Sequence, residues 1–128
     1  MAGHGNGRRP RFLNLFRLRF PVGAVCSFAH RVSGVVLALF LPVTIGLLRR
    51  SLDGSSGYDA VAGMMSSVAG KLLATLFLWA LAHHTLAGVR HLLMDVELGS
   101  SLGAARRSAW SVSVLGAALA VLAFGALW

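Results

Sequence analysis

Three long apolar stretches constrain the fold of this chain more than any other feature. They run from about Val22 to Leu48, from about Val68 to Met94 and from Ala109 to Trp128. Each can cross a hydrocarbon layer of about 30 Å, which takes about 20 helical residues. Open strands cannot span lipid, because their backbone groups would stay unpaired. The sequence therefore predicts an all-α membrane protein with three transmembrane helices.

Composition agrees with that fold class. Of the 128 residues, 56% are hydrophobic and only 12% are charged. A soluble domain usually carries about 25% charged residues. The chain is also too short for two independent domains. We expect a basic cytoplasmic or interfacial tail over residues 1–21 and a three-helix membrane domain over residues 22–128.

The distribution of charge predicts the orientation in the membrane. The formal net charge is +8, and five of the arginines lie in the tail: Arg8, Arg9, Arg11, Arg17 and Arg19. The second loop adds Arg106 and Arg107, whereas the first loop is nearly charge-balanced. Because positively charged loops tend to stay in the cytoplasm, we expect the N-terminus on that side.

The tail itself suits a membrane surface. Apolar residues alternate with Asn14, Arg17 and Arg19 before Pro21. This pattern predicts a short interfacial segment with its arginines among the lipid phosphates. Phospholipid is therefore the expected partner of the tail, and nucleic acid is not. The first 20 residues show neither a cleavable signal nor a transit peptide, which favours a bacterial inner membrane.

Two clusters of histidine and arginine lie within the predicted membrane helices. The first is SFAHRVSG, residues 27–34, and the second is HHTLAGVRH, residues 83–91. Ionisable groups cost roughly 2.5–3.5 kcal/mol at the centre of a membrane helix, so several together indicate a cofactor, a substrate or a proton path. Because the first two helices would be antiparallel, both clusters are expected in the same leaflet.

The second cluster contains a candidate haem ligand. His84, Gly88 and His91 share one helix face, and His84 would lie roughly 10 Å deeper than His91. A neutral imidazole deep in an apolar helix is a good axial ligand for haem iron. Gly88 would leave room for a flat macrocycle. Cations for the haem propionates lie near the polar edge: His30, Arg31, Arg90 and His91.

Spacing alone leaves other interpretations open. His84 would equally well bond a carbonyl of a neighbouring helix and bind nothing else. His83 points about 100° away from His84 and is expected to be a packing or interfacial residue. Asp95 either pairs with Arg90 or His91 or is a solvated loop carboxylate.

Ser27 and Arg31 form a candidate quinone site on the first helix, because an i, i+4 spacing places them on one face. A hydroxyl and a guanidinium can hold a carbonyl oxygen and stabilise negative charge on it. The alternative is that Ser27 bonds its own helix and Arg31 extends to the interface. The sequence lacks paired catalytic carboxylates, a CxxC pair or a phosphate loop for the oxidation of a soluble substrate.

Two motifs extend over most of the chain. The first comprises Arg9-Pro10, Asn14-Leu15, Arg19-Phe20-Pro21 and Ser27-x-x-His30-Arg31-x-Ser33-Gly34. The second is His84-x-x-x-Gly88-Val89-Arg90-His91-Leu92-x-Met94-Asp95. In this order and spacing they resemble the cytochrome b556 subunits of succinate dehydrogenase. Arg11 and Glu97 depart from the family pattern, and both lie outside the expected pocket.

The resemblance implies a membrane anchor of a four-subunit succinate:quinone oxidoreductase. Its partners would be a flavoprotein subunit that oxidises succinate, an iron–sulfur subunit and a second small membrane anchor. His84 would be an axial ligand of haem b, shared with the second anchor, and His30, Arg31 and His91 would lie beside the propionates. Ser27 and Arg31 would line the ubiquinone site, which receives electrons from the iron–sulfur subunit.

Three other functions can be compared with the same sequence. A fumarate reductase anchor would use the same site in the reverse direction. A purely structural anchor would bind no redox group. A small transporter fits poorly, because polar groups confined to one leaflet offer no path with two sides.

Overall fold

Four helices make up the part of the chain that the computed structural model describes, residues 21–128. They are α1 (Val22–Ser51), α2 (Ser55–Ser66), α3 (Val68–Asp95) and α4 (Leu102–Leu127). No strand occurs within these residues. The helices α1, α3 and α4 are long and apolar enough to cross a membrane. The predicted all-α class and the three spans are confirmed, whereas the interfacial segment predicted before Pro21 lies outside the described residues.

The third span begins earlier than hydropathy predicts. Helix α4 starts at Leu102 rather than at Ala109 and therefore includes Arg106 and Arg107. A membrane helix can begin outside the hydrocarbon with charged residues in its first turns, because the backbone hydrogen bonds do not depend on the side chains. The apolar stretch thus marks the part of the helix in lipid and not its full length.

Helix α2 occupies part of the segment that the sequence indicated as a loop, residues 49–67. Its residues include three serines and two glycines, which favour turns over helix when considered alone. The helix begins after Gly54, whose φ of 97° is left-handed and readily adopted only by glycine. Packing against α1 and α3 compensates for the weak local propensity, as it does for most short helices.

Small side chains allow the three long helices to approach one another. The buried core contains Cys26 from α1, Ala87 from α3, and Ala109 and Val112 from α4. Small residues are typical of helix contacts in lipid, where close van der Waals packing drives association. Helix α3 contacts all three other helices and is central to the bundle. The residues that it presents to α1 and to α4 therefore determine which side chains meet.

Candidate functional site

Three histidines from α1 and α3 meet inside the bundle. The rings of His30 and His84 are stacked, with centroids 4.2 Å apart and an interplanar angle of 15°. The His91 ring lies 5.1 Å from that of His30, at an angle of 42°. The two clusters therefore come together, as the antiparallel arrangement of the helices predicts.

A backbone carbonyl of α1 orients the His84 ring. His84 Nδ1 lies 3.1 Å from the His30 carbonyl oxygen and 3.3 Å from Ser33 Oγ. The Ser33 hydroxyl itself donates to that carbonyl at 2.8 Å. A carbonyl oxygen can only accept, so Nδ1 carries the ring hydrogen and Nε2 keeps its lone pair. His84 does bond a neighbouring carbonyl, as one interpretation expected, but only through one of its two nitrogens.

Glycine makes the contact between His84 and α1 possible. A Cβ at Gly34 would lie 3.0 Å from His84 Cε1, closer than an unstrained contact. Helices α1 and α3 thus approach each other closely at Gly34. At Gly88 the nearest atom to an added Cβ is His30 Nε2, at 3.5 Å. The space beside Gly88, expected for a macrocycle, is therefore taken by the His30 ring.

His83 faces the opposite side of α3 and contacts α4. Only 3% of the residue is exposed, and its Nε2 has no hydrogen-bond partner within the described residues. A Cβ at Gly116 would lie 3.1 Å from His83 Nδ1, so the imidazole fits over a glycine. Trp79 stacks against it with a centroid separation of 5.7 Å. His83 is thus packed between α3 and α4.

A cavity of about 360 Å³, lined by both polar and apolar residues, lies between the start of α1 and the end of α3. Ser27 lines it, and Ser27 Oγ is 3.2 Å from His91 Nε2. The other lining residues are Gly23, Ala24, Arg90, His91, Met94 and Asp95. No hydrogen bond joins Ser27 to a carbonyl of its own helix in residues 21–128, so the interpretation of Ser27 as a self-bonded helix residue is wrong.

The two arginines of the clusters have different surroundings. Arg90 is only 7% exposed, and its guanidinium donates from Nε to Ser108 Oγ at 3.0 Å and from Nη2 to the Ala105 carbonyl at 3.1 Å. Arg31 is exposed, lies outside the cavity and makes no hydrogen bond within the described part of the chain. Ser27 and Arg31 share a helix face by spacing, yet only Ser27 contacts α3.

Asp95 lines the cavity as an exposed carboxylate. Neither Arg90 nor His91 forms an ion pair with it among residues 21–128, as the solvated alternative expects. Two other residues of the site, Ser33 and Ser108, were not identified from the sequence. Ser33 supports the His84 ring, and Ser108 holds Arg90, but both are ordinary helix serines until the helices are docked.

Known proteins are similar to this chain over nearly its whole length. Residues 5–124 match the family model described as "Succinate dehydrogenase/Fumarate reductase transmembrane subunit". A protein of Coxiella burnetii (strain RSA 493 / Nine Mile phase I), named succinate dehydrogenase cytochrome b556 subunit, is 36% identical over 124 residues, which are 96% of this chain and 99% of the relative. Proteins with the same name from Paracoccus denitrificans and Rickettsia bellii (strain RML369-C) are 29% and 30% identical; the matches cover 95% and 90% of this chain and 94% and 90% of the relatives.

Proposed function

Because the chain belongs to the succinate dehydrogenase/fumarate reductase transmembrane subunit family, we propose that it holds haem b and forms part of a ubiquinone-reduction site. It is a multi-pass membrane protein, with three helices able to span a bilayer. The observation that carries the haem proposal is the orientation of His84, whose Nδ1 donates to the His30 carbonyl. Histidines that bind metals commonly donate their other ring hydrogen in this way.

The hydrogen bonds of His84 support the proposal that it would hold the haem. Its Nε2 makes no hydrogen bond within residues 21–128, so the lone pair of that nitrogen could bind the haem iron. The ring of His30 stacks on a face of this imidazole, with the two centroids 4.2 Å apart. Haem b, when bound, supplies a one-electron acceptor beside the quinone site. This chain offers one ligand, and we assign the second to a histidine of the other membrane anchor.

The propionate side of the haem is proposed at the edge of the histidine cluster. His30 lies against His84, and Arg31 follows it on α1 with its guanidinium exposed. A guanidinium can pair with a carboxylate through two parallel hydrogen bonds. His91 lies between this edge and the cavity, 5.1 Å from the His30 ring and 3.2 Å from Ser27 Oγ. It thus connects the haem side to the quinone side.

The quinone headgroup is proposed at the cavity that Ser27 lines. The Ser27 hydroxyl would donate to one carbonyl oxygen of ubiquinone. Arg31 lies outside the cavity, one turn further along α1, and would stabilise negative charge on the headgroup from there as electrons arrive. Those electrons would come from the iron–sulfur subunit, which docks at the cytoplasmic face. Succinate itself would be oxidised on the flavoprotein subunit. The chain therefore contributes binding and charge stabilisation to an enzyme whose other half-reaction takes place elsewhere.

We also propose which side of the membrane holds the N-terminus and in which membrane the chain lies. The arginine-rich tail and the second loop favour a cytoplasmic N-terminus in a bacterial inner membrane. Both clusters then lie in the cytoplasmic leaflet, where an iron–sulfur subunit can reach them. The second small anchor would cover apolar side chains that α1 and α4 leave exposed, such as Leu39, Val43 and Val121.

The test is a reduced-minus-oxidised absorption spectrum of the tagged complex, isolated from its native membranes. His84→Ala should abolish the b-type haem signal while the partner subunits still co-purify. His83→Ala is the matched control, since it removes an imidazole from the adjacent residue, and it should retain the signal. An intact complex without haem, or loss of the signal only in His83→Ala, would overturn the assignment of His84.

A second function within the family, fumarate reduction, is tested in the same preparations. The family description covers both directions of the reaction. Turnover with ubiquinone should exceed turnover with menaquinone if succinate oxidation is the physiological direction. The reverse preference would favour a fumarate reductase anchor.

A further inference from the structure

The Ser27 hydroxyl departs from the usual behaviour of hydroxyls in these helices. Ser33, Thr44 and Ser113 each donate to a carbonyl three or four residues earlier. This bond is the common way for a serine or threonine in a membrane helix to satisfy its hydrogen. Within residues 21–128, Ser27 has no such bond, and its hydrogen-bond partner is His91 Nε2, 64 residues away. Its hydrogen therefore remains available to a ligand if the imidazole is the donor.

The surroundings of His91 indicate which atom donates. His91 Nδ1 is buried and has no hydrogen-bond partner in the described part of the chain. A neutral imidazole carries one N–H, at one nitrogen or the other. If Nε2 accepted from Ser27, the N–H at Nδ1 would be buried without an acceptor, and orphaned buried donors are rarer than under-satisfied acceptors. The favoured arrangement places the hydrogen on Nε2, which donates to Ser27 Oγ.

Other groups around the pair leave this bond undisturbed. Arg90 lines the same cavity, but its guanidinium donates to Ser108 and to the Ala105 carbonyl on α4. His30 is the neighbour of His91 on α1, and Asp95 is an exposed carboxylate on the cavity wall. Neither forms a hydrogen bond with Ser27 among these residues. Within residues 21–128, Ser27 thus has a single hydrogen-bond partner, and both Ser27 and His91 line the cavity.

We propose that His91 is a positioning residue that keeps the Ser27 hydroxyl a hydrogen-bond donor toward a quinone carbonyl. With Nε2–H bonded to Oγ, the hydroxyl hydrogen is directed away from His91 and toward the cavity. A carbonyl oxygen, which only accepts, is the matching group. This inference rests on the proposed quinone site and specifies how one of its two polar groups acts.

The test compares four variants in the intact complex: Ser27→Ala, His91→Gln, His91→Asn and Ser27→Ala combined with His91→Asn. The side-chain nitrogen of Gln can take the place of Nε2, whereas that of Asn reaches only the position of Nδ1. The measurement is KM and kcat for succinate-driven reduction of a short-chain ubiquinone. One lost hydrogen bond corresponds to a KM raised by roughly three- to tenfold.

We expect Ser27→Ala and His91→Asn each to raise KM by roughly that factor, and the double variant to be no worse than either, because both remove the same interaction. His91→Gln should restore a near-native KM. Equal effects of Gln and Asn would overturn the inference, as would multiplied losses in the double variant. These pairs are close in size, so a purely structural role of His91 would not separate them.

Failure of the inference and failure of the proposed function give different results. If Ser27→Ala raises KM and both His91 variants behave as the native protein, only the positioning role of His91 is wrong. If Ser27→Ala leaves KM unchanged in a complex with all four subunits, the quinone site itself is wrongly placed. A haem spectrum recorded for each variant shows whether His91 acts on the haem instead; a shifted spectrum with an unchanged KM would contradict the inference.

Discussion

His83 and His84 are adjacent in the chain, yet they contact different helices in different ways. His83 is packed against α4 over Gly116, and its Nε2 has no partner within the described residues. His84 lies against α1 beside Gly34, and its Nδ1 is held by the His30 carbonyl. A rotation of about 100° about the helix axis separates the two environments.

The difference shows what distinguishes a candidate ligand from a packing residue. Both imidazoles sit over a glycine, so close fit does not separate them. The distinguishing feature is the polar support: a carbonyl and a hydroxyl hold one nitrogen of His84 and thereby set the tautomer of the ring. His83 fills space between α3 and α4 and gains no comparable support among residues 21–128.

The largest expected effect comes from filling the two glycines. Gly34→Val should displace the His84 ring and abolish or strongly shift the haem spectrum. Gly116→Val should leave the spectrum close to native and separate α3 from α4. Overpacking of this kind costs about 1–3 kcal/mol. Absorption spectra and thermal unfolding of the isolated complex would record both effects.

The contrast between His84 and His83 would be wrong if Gly34→Val and Gly116→Val showed each other's expected effects. A native haem spectrum in Gly34→Val would show that His84 does not depend on its contact with α1. A lost spectrum in Gly116→Val, with the complex assembled, would assign His83 a part in the haem site.

A smaller effect is expected from replacing His83 by an apolar residue of similar volume. His83→Leu removes a buried nitrogen that has no partner among the described residues, and such an atom costs about 1–3 kcal/mol. We therefore expect the unfolding temperature of the complex to stay the same or to rise. A clear fall would mean that His83 Nε2 has a partner in the assembled complex, and the contrast with His84 would then be weaker.

The smallest effect is expected at Ser33. Ser33→Ala removes the 3.3 Å contact with His84 Nδ1 but leaves the His30 carbonyl in place. The net worth of one such bond is about 0.5–1.5 kcal/mol. Haem should stay bound, with a modest change in its reduction potential as measured by redox titration. Ser113→Ala is the control, since its hydroxyl bonds only its own helix.

The parts of the fold that the sequence predicts are those that depend on local composition. The three spans follow from apolar length, because transfer into lipid is a property of each segment. Helix α2 was not predicted, since its serines and glycines favour turns and only contact with α1 and α3 stabilises it. Motif spacing also identified the histidines, because i, i+4 and i, i+7 residues share a helix face in any docking arrangement.

The parts that sequence could not predict depend on how each helix is rotated about its axis. Ser27 and Arg31 share a face by spacing, but α3 covers the first and leaves the second exposed. The partner of Ser27 is 64 residues away, and that of Arg90 lies on α4. Such pairs are determined by helix docking, for which hydrophobic patterning of a single membrane chain gives little information, because lipid-facing and helix-facing residues are equally apolar.

The attachment of Arg90 to α4 has a consequence for how the chain enters the membrane. A guanidinium costs about 2.5–3.5 kcal/mol at the centre of a membrane helix, and Arg90, near the end of α3, has a smaller cost of the same kind. Ser108 and the Ala105 carbonyl, both on the next helix, accept its hydrogen bonds. During biogenesis, α3 therefore gains its compensation only when α4 is beside it. We therefore expect α3 and α4 to insert together as a helical hairpin. In a chain truncated before α4, the Arg90 guanidinium would enter the membrane without its two acceptors.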